Sequence, residues 1–536
     1  DGLTVAAGMY LGDTPTRVGS GMTRVYTALA YASPPPLPPP PAPPSPPSPP
    51  SPPSPSLPPP PPPSPPPFHL TASNYTQLGS SINGDQTNGG SGHSLALSAD
   101  GLILAVGSPY RDRLSPAPAL TGAGQVSVFA HVGHSWTQLG VDIYGDGAHD
   151  NFGWSVDLSA DGLKLVVGAH EDASGKGYAA VYEYDAVNTV WLLSGTGNPQ
   201  TGVYNNDKFG TSVAMSADGE TFAVGATYHD TYKGLVRVFN NAGVGGWNQK
   251  GNDIYGDKGG GEVNGDWHGA SVALSSDGRV LAVGATYADS DTITTAGRVR
   301  VYEYDAYSDP NNQWIQMGND IYGLTSGDRD GYERCVALSA DGLTVAVGAH
   351  RSSTGGQESG HVRVFTYDAT TTPPLWTARG ALILGDPYHE AATVALSDDG
   401  TVLVVGGPEQ TTATARGYAR VFAWSGTNWD QVGVDLTGEN GRDRMGWAVA
   451  MSADGRTVAV GATSHDVSTG GGVVVNAGHV RVYTSDYYPP SPPAPPYLPP
   501  APPPSPPSPP SPPSPPPPPP LHLTTAGYSP MPGGYI

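Results

Sequence analysis

Residues 335–350 read CVALSADGLTVAVGAH. Two short apolar stretches, CVALS and LTVAVGA, flank the tetrad Ser-Ala-Asp-Gly. Gly supplies the backbone freedom that a tight hairpin needs, and Asp satisfies turn amides with its own carboxylate. The segment therefore predicts two antiparallel strands. The same hairpin returns with its Asp at 100, 161, 218, 277, 341, 399 and 454. A period of about 60 residues, met seven times, marks a repeat architecture.

Outward from the hairpin the frame continues in both directions. Before it stands WIQMGNDIYG (314–323), and after it HVRVFTYD (361–368). The latter alternates apolar and polar residues, as a half-buried strand does. The former is more polar, which places it outermost. Four antiparallel strands per unit, repeated seven times without helical periodicity, predict an all-β, seven-bladed β-propeller. Gly, Ala and Val in the first two strands suit a crowded axis. Tyr182, Phe365 and Tyr483 in the third strand suit the wider space between blades. A linear solenoid is the rival, but it needs distinct capping repeats, which the sequence lacks.

On either side of the repeats the composition changes. Residues 34–67 and 489–520 are almost wholly Pro and Ser. Proline fixes φ and lacks an N–H, so both tracts predict polyproline II rods. The formal net charge is −22, with only 25 Lys plus Arg, which argues against nucleic acid. No run of 18 apolar residues predicts a membrane-spanning helix. Cys335 is the sole cysteine and reads as a small core residue, with no intrachain disulfide possible. P-loop, HExxH, GxSxG and paired-Cys motifs are all missing from the sequence, so no catalytic residue, cofactor or enzymatic activity is expected.

The SPPSPPSPP runs and unbroken Pro blocks resemble the hydroxyproline-rich glycoproteins of green-algal cell walls and flagellar surface fibres. That resemblance implies hydroxylated, O-glycosylated prolines, represented by Pro43, Pro44, Pro46, Pro47, Pro49, Pro50, Pro506, Pro507, Pro509, Pro510, Pro512 and Pro513. It also implies an extracellular, mastigoneme-like or cell-wall location. Asn74-Tyr75-Thr76 adds one N-glycosylation sequon at Asn74.

The repeats themselves resemble FG-GAP repeats, the seven-bladed propeller family that includes integrin α-chain heads. Phe152-Gly153 and Phe209-Gly210 carry the FG. Val167-Gly168-Ala169, Val224-Gly225-Ala226, Val283-Gly284-Ala285, Val347-Gly348-Ala349 and Val460-Gly461-Ala462 stand at the GAP position without its proline, and Gly107-Ser108-Pro109 comes nearest to keeping it. Many members of that family bind calcium in the hairpin loop, but here the loop is cut to Ser-Ala-Asp-Gly. A lone Asp161 or Asp341, or the pair Asp398-Asp399, falls short of the six to eight oxygens calcium takes, so no metal is expected there. A second Asp, at 150, 207, 266, 330 and 443, recurs three residues before the FG glycine or its equivalent and reads as a residue that hydrogen-bonds loop backbone, the alternative being a share in a cation site. His170, His229, His350 and His465 follow the second strand in four repeats, where copying of the repeat explains them as well as a ring of metal ligands does.

The first residues, DGLTVAAG…MTRVYT, parallel DGRTVAVG…HVRVYT, which begins at Asp454. The last, from Leu521, parallel those from Phe68. The expected organisation is a partial closing blade at 1–30, a linker at 31–67, the propeller at 68–488, a second linker at 489–520 and the first strand of another propeller at 521–536. Residues near 74–82 are expected to pair with 479–486 and close the ring. The function expected is a structural repeat of an extracellular glycosylated fibre that self-associates through tandem or neighbouring copies. The alternative is an adhesion or carbohydrate-binding module.

Overall fold

The computed structural model describes residues 4–8, 23–27 and 75–486, apart from 116–117, 244–245, 261–264, 310–311 and 409–413. The two proline tracts, the prolines named above and Asn74 lie outside the described residues. The chain divides into two units, 1–67 and 68–536. Of the first, Thr4–Gly8 and Thr23–Thr27 form an antiparallel pair with Thr4 opposite Thr27 and Ala6 opposite Val25. Thr457 opposite Thr484 and Ala459 opposite Val482 repeat that register in the second unit.

The second unit is a seven-bladed propeller. Blade 2 shows the pattern. Ser155–Leu158 pairs with Lys164–Ala169, which pairs with Tyr178–Asp185, and the outer edge is made by Val190–Leu193 and Gln200–Thr201. The second strands are buried on both faces because each lies between neighbouring blades, which is why TFAVGA, VLAVGA and TVAVGA carry no polar alternation. A helix is confined to one turn, His229–Tyr232, among the described residues.

Blade 7 is built from both ends of the unit, as expected. Its first three strands are Met445–Met451, Thr457–Ala462 and His479–Thr484. The fourth comes from the start: Thr76 lies opposite Thr484, Gln77 opposite Tyr483, and Ile82 opposite Val480. Proline after Tyr488 forbids the seventh repeat a fourth strand of its own. The early segment fills the place, so blade 7 has an outer strand like its neighbours.

Three sets of hydrogen bonds run from blade to blade. At the hairpin turns, backbone amides form a complete ring: Ala99 donates to Ala160, Ala160 to Ala217, Ala217 to Ser276, Ser276 to Ala340, Ala340 to Asp398, Asp398 to Ala453, and Ala453 back to Ala99, all at 2.8–3.0 Å. Near the axis, Ser94, Ser155, Ser212 and Thr393 each donate a hydroxyl to the carbonyl of Gly153, Gly210, Gly269 and Gly446 in the next blade. At the rim, indole N–H groups of Trp136, Trp191, Trp247, Trp314, Trp376 and Trp429 donate to the preceding blade. Tyr75 holds the equivalent place in blade 7 and donates to the Gly455 carbonyl at 2.7 Å. Between these layers sit seven apolar clusters, one per blade interface.

Candidate functional site

The FG glycines turn the chain into the innermost strands, so the residue after each glycine faces one mouth of the axial channel. These are His93, Trp154, Thr211, Ala270, Tyr332 and Trp447. Blade 5 departs from the frame. Where blade 2 reads GWSVDLS, blade 5 reads GYERCVALS, two residues longer. Cys335, not Arg334, then takes the axial place of Ser155, bonded to the second strand by Gly348 N–H to Cys335 O at 2.8 Å. Blade 6 is one residue short, running from Ala392 directly to Thr393. The extra Glu333-Arg334 fills the gap, and Val394 N–H donates to the Arg334 carbonyl at 3.1 Å.

Arg334 reaches across the channel. Its Nη2 donates to His93 Nδ1 at 2.8 Å and to the Trp154 carbonyl at 3.0 Å. The same His93 Nδ1 also lies 3.3 Å from the Trp154 carbonyl. Burial first, then the Arg334 charge, holds the His93 pKa well below the usual imidazole value. Glu333 lies 3.6 Å from the Arg334 guanidinium, and burial raises its carboxyl. Around this plug stand aromatic rings. Trp154 packs 4.5 Å from His93 and 4.1 Å from His170, Trp447 is 5.8 Å from His93, and Tyr110, 47% exposed, meets His93 edge-on. The indole N–H groups of Trp154, Trp267 and Trp447 have no hydrogen-bond partner. A cleft of about 210 Å³ opens beside Tyr110, Trp447, Arg444 and Asn476. The Tyr110 and Trp447 rings and the Arg444 guanidinium line this cleft, and aromatic faces beside a cation can stack on a sugar ring and bind its hydroxyl or acidic oxygens; the three indole N–H groups are buried.

The residues singled out by sequence fall elsewhere. In the hairpin turns Asp100, Asp161 and Asp341 each accept the preceding Ser hydroxyl and an amide two residues on. Those carboxylates are used by the turn, and the calcium set implied by the resemblance does not fit. The loop-capping role of the second Asp holds for Asp150, Asp207, Asp266 and Asp443, whose Oδ2 atoms accept loop amides. Asp330 is a correction. Asp328, three residues before Gly331, caps the Leu324 and Thr325 amides at 2.8 Å, whereas Asp330 directly precedes the glycine and sits fully buried where Phe152 and Phe209 sit in blades 2 and 3. The four histidines make no common ring of ligands: His229 and His465 lie 3.1 Å from Asp207 and Asp443 of their own blades, and His170 and His350 lie 3.8 and 3.7 Å from Glu171 and Glu390. Cys335 is 1% exposed, and burial raises its thiol pKa.

Residues 144–183, blade 2 with its Phe152-Gly153 and Val167-Gly168-Ala169, match the FG-GAP repeat family. No curated protein matches the sequence. Among solved structures, the chain is similar to a candidate 6-phosphogluconolactonase from Bacteroides uniformis (11% identity, TM-score 0.41, 65% of this chain and 86% of that one). It is also similar to TolB from Acinetobacter baumannii (14%, 0.36, 64% and 65%) and to Sqt1 from Chaetomium thermophilum (16%, 0.44, 77% and 91%). These likenesses concern the fold alone. The first corrects the expectation that the chain is not an enzyme: the propeller is shared with a protein described as one, so this architecture does not exclude catalysis. It carries no activity to this chain either. FG-GAP propellers are compatible with extracellular or adhesion-type modules, and among the described residues no helix is long and apolar enough to cross a membrane.

Proposed function

We propose that the chain is a structural repeat of an extracellular, glycosylated fibre or cell-wall matrix, with the propeller as node and the proline tracts as shaft. One observation carries this reading. Thr76 and Thr484 are direct neighbours in blade 7, so the chain arrives at and leaves the propeller side by side. A node so connected hangs from a continuous shaft rather than interrupting it. Tandem or neighbouring copies then supply the self-association, and O-glycans on Pro43–Pro50 and Pro506–Pro513 supply the sheath. The test is mass spectrometry of native secreted material with electron microscopy of the same sample. The reading expects mostly hydroxylated, sugar-bearing prolines and regularly spaced globules. Unmodified prolines on a dispersed monomer refute it.

The aromatic mouth favours a second reading, an adhesion module that binds carbohydrate at the axis. Glycan-array binding that Trp154→Ala and Trp447→Ala both abolish supports it, and unchanged binding in both variants removes it.

A further inference from the structure

Blade 5 differs from blades 2 and 3 at two positions that face each other. The residue before the FG glycine and the residue opening the third strand are Phe152 and Tyr178 in blade 2, and Phe209 and Leu235 in blade 3. In blade 5 they are Asp330 and His361. All of these except Tyr178 have no exposed surface. Blade 4 carries His268 and Arg298 at these buried positions, and blade 5 a carboxylate and an imidazole. Asp328, 1% exposed, comes alongside from the loop. One ligand atom from each of Asp328, Asp330 and His361 lies within 4.8 Å of the others.

The hydrogen bonding of this cluster is incomplete. Arg363 donates to Asp330 Oδ2, but Asp330 Oδ1 has no partner. Neither ring nitrogen of His361 has one. A buried imidazole that makes no hydrogen bond is rare, because the loss of its water contacts goes unreturned. The surrounding groups, by contrast, are well arranged to hold the carboxylates still. Asp328 Oδ2 accepts two amides, its Oδ1 accepts the Thr325 hydroxyl at 2.6 Å, and Arg363 is anchored on the Tyr322 carbonyl. Fixed outer partners around open donor atoms are the arrangement found at metal sites.

We propose that Asp328, Asp330 and His361 bind a zinc-class divalent cation that ties the loop before blade 5 to that blade's third strand. The donor set selects the class. Calcium and magnesium take oxygen ligands, and an imidazole among three donors disfavours them. No thiolate is present to favour copper(I), whereas one nitrogen and two carboxylate oxygens suit Zn²⁺, Co²⁺ or Mn²⁺. Protonation agrees with the geometry. Burial lowers His361 to about 4, leaving a neutral ring with a free lone pair, and raises Asp330 to about 7, a cost that a cation removes. The charge balance also allows it: two carboxylates and the Arg363 guanidinium leave a net negative site for the metal.

The full chain, purified without chelators and dialysed against zinc, is expected to retain about one zinc per chain by elemental analysis. Its melting temperature should fall with a transition-metal chelator and recover with Zn²⁺ but not with Ca²⁺. His361→Gln and Asp330→Asn should abolish both retention and response, while His479→Gln, at the His465–His479 ring contact of blade 7, should keep them. Should the single variants not fold, the double change Asp330→Phe with His361→Leu installs the residues of blade 3 and is expected to fold without responding to zinc. Co²⁺ added to the wild-type chain gives an independent visible spectrum. No retained metal and no zinc-dependent shift in the wild type means that a shared proton or a water occupies the cluster, and overturns the proposal. Undiminished binding in His361→Gln overturns it equally.

Discussion

Tyr75 is the residue on which ring closure can be tested by one substitution. It is 7% exposed, packed with Tyr483, Val432 and Val458 between blades 6 and 7, and its hydroxyl reaches the turn carbonyl of Gly455. Truncating a buried aromatic of this kind costs about 3–5 kcal/mol, so Tyr75→Ala in the full chain should lose that much. Tyr75→Phe keeps the ring and removes only the hydrogen bond, which costs about 1 kcal/mol. Against a total stability on the order of 5–15 kcal/mol the first is severe and the second mild. Denaturant unfolding followed by tryptophan fluorescence reads both. A chain lacking residues 75–84 should do more than lose stability. It bares the outer edge of His479–Thr484, and light scattering should find it self-associating through that edge. A Tyr75→Ala protein within about 0.5 kcal/mol of wild type, the range of an ordinary surface change, refutes the closure argument.

Acid should destabilise the propeller. Burial lowers His170 and His350 to about 3 and His361 and His479 to about 4, so the unfolded chain takes up more protons and stability falls as pH drops from about 6.5 towards 4. Asp157 and Asp330, raised by burial to about 6 and about 7, work in the opposite direction as pH falls towards 4, but two carboxyls do not outweigh four imidazoles. A melting temperature that is flat or rising on acidification contradicts this. Asp157→Asn should in turn stabilise the protein at pH 7 by about 1–2 kcal/mol, since the amide removes a charge held at the axis while its oxygen can still accept the Met215 amide; thermal melts of the variant check the sign. Cys335 should resist thiol reagents in the native chain and react only on unfolding, as mass shifts with and without denaturant will tell. Added Ca²⁺ should leave the melting temperature unchanged, because the hairpin carboxylates are committed to their turns.

Much of the fold was readable because the repeat copies one hairpin. CVALSADGLTVAVGAH shows both its strands and its turn chemistry, and seven copies left few architectures open. Closure was readable too, since proline after Tyr488 denied blade 7 a fourth strand and YTQLG supplied the matching pattern. The candidate site was not. It depends on the residue after each FG glycine, and blade 5 hides its frame behind two extra residues. Counting Asp residues towards a glycine picked Asp330 over Asp328 for the same reason. The insertion makes sense only with the deletion in blade 6, and that compensation happens in space. The ring of turn amides has no sequence signature, because it uses backbone groups that every residue but proline possesses.

The closing blade has a mechanical consequence. Thr76 stands opposite Thr484 and Asn83 opposite His479, so the first strand begins where the last one ends. Tension applied through those two ends does not shear the ladder. It peels it open, loading the Thr76–Thr484 rung first, then Gln77–Tyr483, then the Leu78–Val482 bond at 2.7 Å. Rungs loaded singly yield at lower force than rungs loaded together. The six other blades are unstressed until that latch has opened. The propeller would lengthen under load by releasing a few residues, and the strand would return when the load is removed.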